Sequence, residues 1–344
     1  MLFRSSGFPI LANDPHRAIS VPSLRYLVHL VAPGWNVIGA GEPTIPGISI
    51  GHNETGAWGL TIFETDAEDL YAYELNPDDL REYRYQGQWK KMETIVERIP
   101  VKGHDTVTQT LYYTIHGPVC FIDSARKRGY AIRCGWLEPG GAPYLASLRM
   151  DQATDWNEFR DACAYSHIPG ENMVWADRKG NIGWQVVGIS PVRNTHSGLV
   201  PVPGDGRYEW SGYVPMLQRP SVANPEKGFW STANQQLTPE NYTHWNSIGF
   251  KWADPYRGDR INEVLAASSP LTVSKTQALQ TDYFSIPART LVPLLNGIPF
   301  EDARTREAAQ LLLNWDDQLN PSSIEAGIYA LWERKIMKDA AARF

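Results

Sequence analysis

Side chains able to act as nucleophile, base or metal ligand are scattered along this chain, and no short motif gathers them. The eight histidines stand apart, and an isolated histidine is by default a hydrogen-bonded structural residue. Cys120, Cys134 and Cys163 are odd in number and have neither CxxC nor zinc spacing. There is no GxSxG elbow, no HExxH helix and no phosphate-binding glycine loop. Ser5 and Ser6 read as turn residues rather than nucleophiles. A hydrolase built on either of them would need a partnered base that the spacing does not reveal. A catalytic site here has to be assembled from residues far apart in sequence, so the elements that carry them come next.

The chain has 344 residues, 42% hydrophobic and 20% charged. That is enough apolar material for one large core or two modest ones. The net charge is -6 and no basic tract is present, which argues against nucleic acid as a partner. Thirteen Trp and sixteen Tyr read first as core filling in a strand-rich protein and only second as ligand-stacking surfaces. The opening MLFRSSGFPILANDPHR has no long apolar segment and no small-residue cleavage pattern, so it is not read as a signal peptide. Apolar runs fall well short of the ~20 residues that span a bilayer, and no membrane association is expected.

The first two-thirds, about 7–250, read as strands and turns. Ile45 to Ile50 leads through Gly51-His52-Asn53 to Trp58-Gly59-Leu60-Thr61-Ile62, as buried strands joined by tight connections. Tyr83 to Trp89 reads as a hairpin turning at Gln86-Gly87, and Thr106 to Ile115 alternates as a strand. A helix is expected from Thr154 or Asp155, either of which can cap it, with Trp156, Phe159, Ala162 and Cys163 at helical spacing, ending before Pro169-Gly170. Met173 to Asp177 and Ile182 to Val187 flank a Lys179-Gly180-Asn181 turn, a second hairpin. From Asp254 onward, about 254–344, the pattern turns helical. Segments are expected at Arg260–Ala267, at Ala303–Trp315 with Ala308, Leu311 and Leu312 on one face, and from Ser322 to the end.

The order of these segments carries more than their spacing. Leu11-Ala12-Asn13-Asp14-Pro15-His16 is followed by Ile50-Gly51-His52-Asn53, Trp58-Gly59-Leu60-Thr61 and Asp66-Ala67-Glu68-Asp69. Then come His116-Gly117-Pro118, Gly180-Asn181-Ile182-Gly183, Pro201-Val202-Pro203-Gly204, Thr232-Ala233-Asn234 and Pro255-Tyr256-Arg257-Gly258-Asp259. This succession resembles the β-chain of the penicillin acylase family, within the N-terminal-nucleophile hydrolases, over roughly residues 7–340. The resemblance implies an α+β fold, a four-layer αββα sandwich, and hydrolysis of a linear, non-peptide amide in an N-acyl compound such as a penicillin, a cephalosporin or an acyl-homoserine lactone. It also implies an α-chain from the same precursor as partner, and a periplasmic or secreted location.

In that family a serine exposed by self-cleavage attacks the amide carbonyl and an oxyanion hole holds the developing charge. By resemblance, Asn234 supplies an amide donor to the oxyanion and Ile62 its backbone N–H. His16 stands where members carry Gln or His near the serine, able to help move its proton. Arg257 matches an arginine near the substrate mouth. Gln235 departs from the family's second asparagine. Asp66, Glu68 and Asp69 match the segment that supplies calcium ligands, Glu68 through its backbone carbonyl, and closely spaced oxygens suit such a hard cation. The family's serine opens a strand that falls ahead of Met1, so the chain is expected to be a partial β-chain, inactive alone. The alternative is a non-catalytic binding protein or relic on the same scaffold.

Overall fold

The computed structural model describes residues 7–268 and 270–343, and its contacts divide the chain into two compact units, Phe8–Ala253 and the segment from Asp254 onward. Ser5 and Ser6 lie outside the described residues.

The first unit holds two large sheets. One is antiparallel throughout, in the order Tyr26–Ala32, Trp35–Gly41, Ile50–His52, Gly56–Ile62, Glu171–Asp177, Ile182–Val187, Ser221–Ala223. In its central pair Trp58 stands opposite Trp175, Leu60 opposite Met173 and Ile62 opposite Glu171. Side chains alternate faces along a strand, so Trp58, Leu60, Met173 and Trp175 share one face. There they meet Phe159, Ala162 and Cys163 of the helix Trp156–Cys163. The ring of Phe159 sits 6.2 Å from Trp58 and 4.9 Å from Trp175. Each of these large rings is out of water, a gain of about 1.5–3 kcal/mol apiece, which is what fixes the helix on this face. The opposite face carries Phe63, Trp184 and Val186, closed by Ile248 and Trp230.

The second sheet runs Val202–Pro203, Glu68–Glu74, Arg128–Cys134, Gly117–Asp123, Val107–Thr114, Glu93–Ile99, with only the first pair parallel. Tyr71, Tyr73, Tyr83 and Tyr85 build its core. His116 lies among them, stacked on Tyr71 at 3.7 Å and bonded to the Tyr73 hydroxyl and to Glu209. Burial holds its pKa below the usual histidine value. It is a satisfied core histidine.

Local chemistry explains the boundaries. At the Gln86-Gly87 turn both residues have positive φ, 48° and 78°, the geometry a two-residue hairpin loop requires. Asp155 accepts the N–H groups of Asn157 and Glu158 and so starts its helix. Asp177 does the equivalent for the second hairpin, accepting from Lys179 and Asn181.

In the second unit the helices Val273–Gln280, Ile286–Leu291, Ala303–Leu313 and Ile324–Ala341 are each capped by the preceding Thr272, Ser285, Asp302 or Ser323. Before them comes Tyr256–Ala267. Ala288, Val292, Leu295, Ala309, Leu312 and Tyr329 form the core. The buried stripe of Ala303–Leu313 is thus Ala309 and Leu312; Leu311, expected to face inward, is exposed. Among the described residues no helix is long and apolar enough to cross a membrane.

Candidate active site

The chemistry expected of Ile62 depends on where its peptide group points. Phe63 donates its N–H to Gly170 on the Glu171–Asp177 side of the strand. Peptide groups alternate sides along a strand, so the N–H and C=O of Ile62 face the other edge. The same edge carries the Leu60 N–H, which donates to Asn13 Oδ1 at 2.6 Å. The strand's neighbour on this edge, Ile50–His52, pairs only as far as Trp58. Beyond it, among the described residues, the end of Gly56–Ile62 meets the side chains of Asn13 and Asn234 on this edge and no strand.

Asn234 comes to that edge from 172 residues away, its Nδ2 donating to the Ile62 carbonyl at 2.8 Å. Its backbone is left-handed, φ 71°, a conformation Asn tolerates better than most residues. Two further ties hold the segment: Thr232 Oγ1 lies 2.8 Å from Thr61 Oγ1, and Ala253 N–H donates to the Asn234 carbonyl at 3.2 Å. Gln235, where the family pattern has asparagine, turns inward and its Oε1 accepts the Ala233 N–H at 2.7 Å. The expected pair, Ile62 and Asn234, is therefore brought together on one strand edge.

Three residues that sequence reasoning passed over complete this corner. Asn172, fully buried, donates from Nδ2 to Thr61 Oγ1 and to the Ile62 carbonyl, both at 3.2 Å, while its Oδ1 accepts from Trp184 Nε1 at 2.8 Å. Glu171 stands opposite Ile62, buried, its Oε1 3.4 Å from the Tyr144 hydroxyl and its Oε2 without a partner among the described residues. Burial pushes its carboxyl up to about 7, against the pull of Arg25 and Arg17. Their signal was visible: Glu-Asn beside the apolar run Met173-Val174-Trp175-Ala176. The third is Asn13, whose Nδ2 is buried without a partner among the described residues. Gly59 makes room for it, since a Cβ there would collide with the Asn13 amide.

His16, three residues on, is largely exposed at its side chain (68%) and lies 3.5 Å from Asp14. Among the described residues no contact ties it to Ile62 or Asn234. Arg257 sits in the first turn of the helix Tyr256–Ala267 and belongs to the second unit.

Asp66, Glu68 and Asp69 are also brought together, around a cation that the chain itself supplies. Arg193 is fully buried at its side chain. Its Nε donates to Asp69 Oδ1 and Oδ2 at 3.1 and 2.9 Å, and its Nη2 to Asp66 Oδ1 at 3.3 Å and to the Glu68 carbonyl at 3.2 Å. Its Nη1 donates to the Asn246 carbonyl at 2.7 Å. Asp69 further accepts from His196 Nε2 at 3.0 Å and from Trp210 Nε1. Glu68 faces this cluster through its carbonyl, as expected, while its carboxylate is 3.3 Å from Cys134 Sγ. These residues fit a divalent ion poorly. Calcium takes six to eight oxygens, and here N–H donors already occupy the Asp69 carboxylate. Among the described residues no cluster of three or more His, Cys, Asp or Glu able to hold a metal is found.

Comparison with known proteins identifies the family. The family model for penicillin amidase matches residues 4–343. An acyl-homoserine lactone acylase, QuiP, of Pseudomonas fluorescens is 30% identical over 97% of this chain and 43% of its own length. Penicillin G acylase of Escherichia coli is 30% identical over 89% of this chain and 37% of its own. Among solved structures, the thermostable penicillin G acylase from Alcaligenes faecalis superposes with a TM-score of 0.79 at 26% identity, over 90% of this chain and 56% of that one. The chain spans less than half the length of these two sequence relatives. A match over nearly the whole chain, with Ile62 and Asn234 converging on one strand edge, means that the chain belongs to the penicillin amidase family.

Proposed function

We propose that this chain supplies the oxyanion-stabilising half of an amide hydrolase that deacylates a small N-acyl compound. The observation that carries this is the convergence of Asn234 Nδ2 with the outward-facing peptide group of Ile62. The Asn234 amide and the Ile62 N–H on the same edge would then donate to the carbonyl oxygen as it turns negative in the tetrahedral intermediate, the largest single term in many such reactions. Overall, water adds across the C–N bond: the acyl group leaves as a carboxylic acid and the nitrogen as a free amine. An N-terminal serine supplies the attacking oxygen, from a segment ahead of the one that Gly7 begins. His16, on the same loop as Asn13, assists its proton.

The wider setting follows the same reading. The fold is the four-layer αββα sandwich, and the working enzyme is a heterodimer with an α-chain from the same precursor, outside the cytoplasm. One relative, from a Pseudomonas strain, is named a penicillin acylase proenzyme, which supports the precursor. The substrate is an acyl-homoserine lactone or the acylated amine of a penicillin, as the relatives' names suggest, or of the related cephalosporins.

The test is hydrolysis of a chromogenic acyl anilide and of acyl-homoserine lactones, followed by amine release. The 344-residue chain alone is expected to give no turnover. In protein that also carries the serine and the α-chain, Asn234→Ala should lower turnover about 100- to 1000-fold with an unchanged melting temperature. Turnover that survives Asn234→Ala would remove the oxyanion role.

A further inference from the structure

The segment from Asp66 to Asp69 holds two carboxylates and a carbonyl that converge, and convergent oxygens need a positive charge between them. We propose that the Arg193 guanidinium is the resident cation of this segment, and that the chain keeps its shape here without a divalent metal.

The first support is directional. A guanidinium presents five N–H groups in a planar fork. All three nitrogens of Arg193 are engaged, with acceptors on Asp69, Asp66, the Glu68 carbonyl and the Asn246 carbonyl at 2.7–3.3 Å. These are hydrogen-bond distances to nitrogen, and the oxygens are arranged around the fork. The second support is saturation. Asp69, 2% exposed at its side chain, also takes N–H groups from His196 and Trp210. A metal ion bound to it would have to displace the Arg193, His196 and Trp210 donors that already occupy its two oxygens.

Enclosure is the third support. Gly198, at φ 84°, lies against the cluster, and a Cβ there would come within 2.6 Å of Asp66 and 2.9 Å of Arg193. Arg193 has no room to swing out and admit an ion while the fold stays closed. The cluster joins pieces remote in sequence: the start of the strand Glu68–Glu74, the strand Pro191–Arg193 and the short helix Trp245–Ile248. A fixed side chain does this permanently, where an exchangeable ion would make it depend on supply.

The reaction proposed above plays no part in this inference, so the test reads binding and melting and leaves activity aside. Terbium(III) serves as the probe, because Trp210 touches Asp69 and would sensitise an ion bound there. For the 344-residue chain, excitation of tryptophan should give no saturable terbium emission. Melting temperatures in excess EDTA and in millimolar calcium should agree within about 1 °C. Saturable emission that calcium competes away, or a fall of several degrees in EDTA, would overturn the proposal. Arg193→Met, which keeps the bulk and removes the charge, should lower the melting temperature by about 10 °C. The exposed Arg126→Met should leave it unchanged. If Arg193→Met melted like the parent, the proposal would fail. Should that variant not fold, the terbium and EDTA measurements on the parent chain still decide.

Discussion

Two polar clusters of the first unit treat their hydrogen bonds in opposite ways. Around Arg193, donors and acceptors are nearly all matched: the guanidinium meets four acceptor groups, Asp69 takes N–H groups from three residues, and of this cluster His196 Nδ1 alone lacks a partner among the described residues. At the end of Gly56–Ile62 they are not. Asn13 Nδ2 and Glu171 Oε2 are buried and unmatched among the described residues, and no strand of the described residues pairs with the edge that the Ile62 N–H faces, although its carbonyl takes Asn234 and Asn172. A saturated cluster can hold a structure but has nothing left to offer a substrate. An unsaturated one costs stability, of order 1–3 kcal/mol per buried unpaired group, and keeps its capacity for a reacting partner. The acidic segment, which the sequence offers as a binding site, is the structural one.

That contrast can be broken at several points. The largest effect is expected at Asp69. Asp69→Ala leaves Arg193 buried with only Asp66 to balance it, and should cost about 3–5 kcal/mol by urea denaturation; a loss under 1 kcal/mol would mean the cluster is not structural. Next is Glu171. Its carboxyl titrates near 7 in the fold, above the ordinary value of 4.5. The fold therefore binds that proton more tightly than the unfolded chain does. The stability this confers is complete below about pH 4.5 and lost as pH rises through 7. Glu171→Gln cannot ionise, so at pH 8 it should be the more stable protein by on the order of 2–3 kcal/mol, and at pH 4.5 the two should converge. Parallel pH–stability curves would show that Glu171 is not held neutral. The smallest effect is expected at Gly59. Gly59→Ala pushes the Asn13 amide off the strand edge and leaves the Leu60 N–H without its acceptor, a loss of about 1–2 kcal/mol. Hydrogen exchange at Leu60 should speed up while Trp175, in the core, stays protected.

Local signals were legible in proportion to how local their cause is. The Gln86-Gly87 hairpin, the Asp155 cap and the turn after Asp177 each depend on one or two residues acting on their own backbone, so residue type reveals them. The inward stripe of Ala303–Leu313 was misplaced by one position; near-continuous apolar residues such as Leu311-Leu312-Leu313 leave a 3.6-residue period loosely fixed. Ile62 and Asn234 lie 172 residues apart, and nothing in their spacing joins them. They were found only because the order of motifs resembles a family. Arg193 is 124 residues from Asp69 and carries no local mark that separates it from a surface arginine. What gives it away is burial, which the fold alone creates. Glu171 and Asn172 were the missed opportunity, since two polar residues bordering a buried apolar strand already ask for an explanation.

The left-handed backbone of Asn234, φ 71°, bears on how any comparison of relatives should be read. Asparagine and glycine are the residues that enter this conformation most cheaply, so the turn would favour asparagine even if its side chain had no role in chemistry. Persistence of asparagine at this position across a set of sequences is thus evidence shared between two causes. The substituents that do appear separate them. Glycine would mark a lineage that kept the turn and gave up the donor, whereas aspartate would keep much of the turn's preference and set a carboxylate against the Ile62 carbonyl in place of the amide donor.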